Sequence, residues 1–154
     1  IPSFETSDYS ELFSEEKEMI KKLKKTFLMV AGGAVQKYGP QLEDHQQLLI
    51  AAADILIEIY MAESAVLRTE KNVKRTSEKE QSAQIAMAKL YLYHAVDIVE
   101  EKGKESIISF AEGDEQRMLL MGLKRFTKYA NYPDIVDLRI EIAEKVKEEN
   151  SYCF

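Results

Sequence analysis

The chain has 154 residues, enough for one domain with a real hydrophobic core, and its 45% hydrophobic and 31% charged residues mark it as globular. A net charge of −6 argues against nucleic acid or an anionic membrane surface as the main partner, since both need a basic face. One cysteine, Cys153, cannot form an internal disulfide, and no stretch is long and apolar enough to span a bilayer.

Residues 1–13 carry Pro2, three serines and a threonine with little periodicity, and read as a linker. No initiator Met and no signal peptide are visible, so the chain is expected to be the tail of something longer. The first helix is expected over 14–38. Ser14 is a suitable N-cap, Glu15 and Glu16 favour the first turn, and Met19, Ile20, Leu23, Phe27, Val30, Ala34 and Tyr38 form a stripe at helical spacing. Gly39-Pro40 ends it. A second helix is expected from Gln41 to about Arg75, with Leu42, His45, Leu49, Ala52, Ile55, Leu56, Ile59, Ala62 and Val66 along one wide face.

Ser77 with Glu80 forms a capping box, so the third helix is expected to start at Ser77, with Gly103 just past its end. Residues 104–112 read as a short helix or a continuation. Gly113-Asp114 opens a fourth helix, with Asp114 as N-cap, running to about Tyr129; its apolar face holds Met118, Met121, Leu123 and Phe126. Asn131-Tyr132-Pro133 breaks it, and a last helix spans 134 to about 149. Residues 150–154 read as a tail. No run alternates as a strand does, and the short connections imply an all-α antiparallel bundle of four to five helices over 14–149.

Catalytic and metal chemistry is hard to assemble. His45 and His94 both lack the Glu three residues before that paired-metal bundles use, and a zinc site wants more Cys and His than the chain has. Glu112-Gly113 resembles a loop-borne base but reads better as a turn. Gly32-Gly33 lies mid-helix, not between a strand and a helix as a phosphate loop would, and points to close helix–helix approach. The basic runs Lys21, Lys22, Lys24, Lys25 and Lys124, Arg125, Lys128 read as solvated faces, and Tyr91, Tyr93 and His94 spread over different sides of a helix. Asp54, Glu58 and Asp97 are the best candidates for a polar cluster inside the bundle, with ordinary pairing to Lys or Arg as the alternative. No catalytic, cofactor-binding or metal residue is assigned. Met118, Met121, Phe126 and Tyr129 are the expected partner contacts, because Met-rich faces adapt to partners.

The run VAGGAVQKYGPQLEDHQQLLIAAADILIEIYMAESAVLRTEK (30–71) resembles the C-terminal accessory region of acyl-CoA dehydrogenases of the very-long-chain type. The resemblance lies in the Lys37-Tyr38-Gly39 turn, in Gln46-Gln47, in the Ala53-Asp54-Ile55 step and in the Tyr60…Leu67-Arg68 ending; SFAEGDEQRMLLMGLKRFTKY (109–129) resembles bacterial members. It implies a cytoplasmic flavoprotein of fatty-acid oxidation in which FAD and the glutamate base belong to other parts of the polypeptide. Glu112-Gly113-Asp114 departs from the family's base motif, lacking both the aromatic and the Thr, so no FAD or catalytic residue is carried over. The implied partners are the remainder of the dehydrogenase or a dimer mate, with acyl-CoA met only through that parent. The alternative from the residues is a free-standing helical binding module. A domain of this kind should expose an apolar patch, or cover one with a dimer contact.

Overall fold

The computed structural model describes residues 12–151, and the expected linker and tail, including Cys153, lie largely outside them. Five α-helices follow one another: α1 (Ser14–Tyr38), α2 (Gln46–Val73), α3 (Ser82–Phe110), α4 (Gly113–Phe126) and α5 (Ile135–Glu149). No strand occurs among the described residues.

The paired side chains give the direction of each helix. Lys17 bonds Glu70 at 2.7 Å and Lys24 bonds Glu63 at 2.6 Å, so α1 and α2 run antiparallel. The Tyr91 hydroxyl donates to Glu58 at 2.9 Å, fastening α3 to the far flank of α2. Tyr38 donates to the Ser109 carbonyl, and Lys89 faces Glu16, so α1 and α3 run parallel, each antiparallel to α2. Leu23, Val30, Ile55, Ile59, Val66, Leu92, Val99 and Ile107 fill the space between these three helices. Phe13, assigned from the sequence to the linker, is also in that core: its ring is buried while its backbone takes φ 65°, an uncommon conformation for a bulky residue that the surrounding packing holds.

Local chemistry explains three of the helix ends. Gly39 takes φ 51° and ends α1. Asp134 caps α5, its Oδ1 accepting from the backbone N–H groups of Val136 and Asp137. Gly113, at φ 59°, turns the chain between α3 and α4.

Several expectations need correction. The second helix does not start at Gln41: Gly39–Asp44 form a 3-10 turn and α2 begins after His45. Ser14 is not the N-cap of α1, and Asp114 does not cap α4; Phe13 and Glu112 occupy those positions without a side-chain cap. The Ser77–Glu80 pair does form, Ser77 Oγ accepting from the Glu80 N–H at 3.2 Å, but it closes a turn, and α3 begins at Ser82. Residues 78–80 are exposed, so no packing extends the helix back to Ser77. Gly103 does not end α3. It is buried within it, where an added Cβ would lie 2.9 Å from Leu123 Cδ1; the glycine lets α4 approach. Residues 104–110 continue α3, and α4 stops at Phe126 rather than near Tyr129.

The core phase of α2 also differs. Leu48, Ala51, Ile55, Ile59, Ala62, Val66 and Thr69 are buried, whereas Leu49 and Leu56, expected inside, face outward.

Candidate interaction surface

The groups that suggested chemistry do not converge. Glu58 accepts the Tyr91 hydroxyl, while Asp54 lies within electrostatic range of Lys102 and Asp97 within that of Tyr129. His45 stacks on Tyr38, ring centroids 3.7 Å apart, and His94 is exposed beside Arg139. Among the described residues no three His, Cys, Asp or Glu side chains are grouped so as to hold a metal ion. Burial, then the hydrogen bond to Glu58, pushes the Tyr91 hydroxyl up to about 12. Burial also pushes the Tyr129 hydroxyl up. Both changes keep a phenol neutral and activate nothing. A groove of about 490 Å³ opens at one end of the bundle between Tyr38, Asp44, His45, Leu48, Glu105 and Ser106.

The basic runs are partly spent on local bonds. Lys24 pairs with Glu63, Lys21 with Glu18, and Lys22 donates to the Lys128 carbonyl. The expected contact residues separate: Met118 and Met121 are exposed, Phe126 is half-buried, and Tyr129 is only 7% exposed, inside the core.

A different surface stands out. From Leu49 to Leu67 the exposed residues of α2 are Leu49, Ile50, Ala53, Leu56, Ile57, Tyr60, Met61, Ser64 and Leu67, and none is charged. This strip is roughly 27 Å long at the 1.5 Å rise of a helix. Tyr60 is 68% exposed and Ile50 60%. A helix that buries apolar residues on one side and shows apolar residues on the other expects cover on both. Sequence reasoning missed this face because it assigned Leu49 and Leu56 to the core. The signal that was available is that Asp54 and Glu58, one turn apart on one flank, are the charged residues of α2 between Gln46 and Ala62, which leaves apolar residues on both the inner and the outer side.

The strip continues onto α1. Lys17–Glu70 and Lys24–Glu63 fix an antiparallel register, each step of seven along α1 matching a step of seven back along α2. Leu28 stands one turn beyond Lys24, and Val35 two turns beyond Leu28, so both lie on the side of α1 nearest α2. Leu28 is 67% exposed and Val35 55%.

Residues 22–125 match the family model described as acyl-CoA dehydrogenase, C-terminal domain. A probable acyl-CoA dehydrogenase of Bacillus subtilis (strain 168) is 33% identical over 143 residues, which cover 93% of this chain and 24% of that protein. The crystal structure of an acyl-CoA dehydrogenase complexed with FAD from Bacillus anthracis superposes with a TM-score of 0.89 at 35% identity, covering 94% of this chain and 25% of that one. The chain thus spans about a quarter of the length of the relatives it matches, and it belongs to the acyl-CoA dehydrogenase C-terminal domain family.

Proposed function

We propose that this chain is a non-catalytic accessory domain of a cytoplasmic, FAD-dependent acyl-CoA dehydrogenase, and that it stabilises the enzyme by docking its α1–α2 face on the remainder of the polypeptide. The observation that carries this reading is the uncharged outer strip of α2 in a chain with 31% charged residues. Apolar area removed from water stabilises at about 25 cal/mol per Å², so covering such a strip is the dominant gain available to the domain.

The described residues do not fit a flavin. A dinucleotide site wants a glycine-rich turn leading into a helix from a strand. Here no glycine follows a strand, and the groove at the end of the bundle carries Asp44 and Glu105, which would repel a pyrophosphate. Oxidation of the acyl-CoA therefore falls to the rest of the enzyme in this reading.

The test is to produce the chain and the remaining dehydrogenase polypeptide separately. The two parts are expected to co-purify, and the chain alone to show no acyl-CoA oxidation with added FAD. Turnover by the chain alone, or failure of the parts to associate, contradicts the reading. The exposed Met118 and Met121 favour a second one, a free-standing module that binds a helix of another protein through α4. Retention of a partner lost on Met118→Ser and Met121→Ser substitution supports it.

A further inference from the structure

Two adjacent glycines in α1 have different surroundings. A Cβ at Gly33 would meet the Phe110 ring at 2.6 Å, so Gly33 is required by the bundle itself. A Cβ at Gly32 would meet nothing within 4 Å, and Gly32 has an ordinary helical φ. Glycine in a helix interior is less favourable than alanine, yet nothing among the described residues uses the missing side chain. Gly32 is exposed, and Leu28 and Val35, four residues before and three after, are exposed on the same side of α1. The three positions form a notch with an apolar ridge at each end.

We propose that Gly32 is the point of closest approach between this domain and the dehydrogenase body: an apolar segment of the body crosses α1 at Gly32, seated between Leu28 and Val35 and against Leu56 and Tyr60 of α2. This rests on the docking reading above and specifies where and how the contact is made. Close helix packing brings axes to about 8–10 Å, with small residues at the crossing allowing the short end of that range. The occupant is the body rather than a second copy because about three quarters of the length of the matched relatives lies outside the region that corresponds to this chain. The notch is also continuous with the α2 strip, whose length suits an extended element. No charged side chain is exposed along that strip, so the crossing segment is uncharged where it lies on α2.

The experiment uses the full dehydrogenase polypeptide and the chain alone, both in a Cys153→Ser background and with Ile57→Cys as a thiol reporter on the α2 strip. Docking is read as the ratio of maleimide labelling rates between the two. With Gly32 intact, labelling is expected to be at least tenfold slower in the full polypeptide. Gly32→Ala should raise the thermal midpoint of the chain alone, since the added methyl meets no neighbour and favours helix. Gly32→Leu should leave the chain folded, but it should cut the labelling protection in the full polypeptide by tenfold or more. Undiminished protection with Gly32→Leu overturns the notch while leaving docking intact. Absence of protection with Gly32 intact overturns docking itself, and the notch with it. If Gly32→Leu instead dissociates a dimer of the chain alone and leaves the full polypeptide unchanged, the occupant is a second copy and the proposal fails.

Discussion

On α2 the exposed residues between Leu49 and Leu67 carry no charge, whereas on α4 the exposed Met118 and Met121 stand among Arg117, Lys124 and Arg125. Both helices show large apolar side chains to the outside. On α4 Met118 and Met121 are neighbours one turn apart, but Arg117, Lys124 and Arg125 bound them, and so short a patch is the ordinary state of a protein surface. On α2 the exposed positions carry no charge from Leu49 to Leu67, and Leu28 and Val35 of α1 are exposed beside them, which is the pattern the docking proposal rests on. The difference teaches that continuity, more than the exposure of any one side chain, separates a buried-in-the-enzyme face from a solvent face.

The largest effect follows from placing charge on the strip. Leu56→Glu with Ile57→Glu should abolish association with the dehydrogenase body, since an unpaired charge buried in a contact costs about 3–5 kcal/mol. Met118→Glu should leave association unchanged; both are read by co-purification of the two parts. Equal effects would erase the contrast between the faces.

Next is Leu123→Ala. Leu123 is the buried residue of α4, and it fills the space above Gly103. Its truncation should cost about 2–5 kcal/mol in denaturant unfolding. That loss is internal, so a drop of similar size from Met118→Ala would show that α4 is misassigned as a solvent-facing helix.

Gly33→Ala should destabilise by about 1–3 kcal/mol, because the Phe110 ring must move, while Gly32→Ala stabilises the chain alone by about 1 kcal/mol. Thermal unfolding of the two variants side by side separates the inner and outer sides of α1.

A pH series tests the inner flank of α2. The Tyr91 hydroxyl is pushed up from 10.0 to about 12 by burial and then by Glu58. Its raised value means the folded chain holds the proton more tightly, so this contribution is fully present below pH 10 and is lost as the pH rises through about 12. Tyr91→Phe should flatten the fall of stability in that window. An unchanged slope would remove Tyr91–Glu58 as the fastening of α2 to α3. The smallest effect, within about 0.5 kcal/mol, is expected for Met118→Ser or Met121→Ser in the chain alone.

Punctuated features of the fold were legible in the sequence. Gly39-Pro40 acts through its own backbone geometry and Asp134 through a side chain that reaches its own next turn, and the structure puts them at helix ends as expected. The five-helix bundle follows from such breaks together with periodicity. The phase of α2 was not legible, because a helix with apolar residues on both its buried and its outer side gives periodicity little contrast to read. Gly103 was misread because a glycine that admits a neighbour looks the same in sequence as one that ends a helix. The Met and Tyr residues of the fourth helix drew attention as contacts, yet Tyr129 is held in the core by packing distant in sequence. The interaction face was hidden for the same reason: it is defined by what the other helices leave uncovered.

The most direct test of the account is the reactivity of an Ile57→Cys thiol in the Cys153→Ser background, in the chain alone and in the full dehydrogenase polypeptide. Ile57 is 55% exposed and lies in the middle of the strip. Labelling at least tenfold slower in the full polypeptide, with a Met118→Cys control labelling equally in both, is the predicted result. Equal labelling at Ile57→Cys in both would contradict it, since the α2 face would then be open to water in the assembled enzyme.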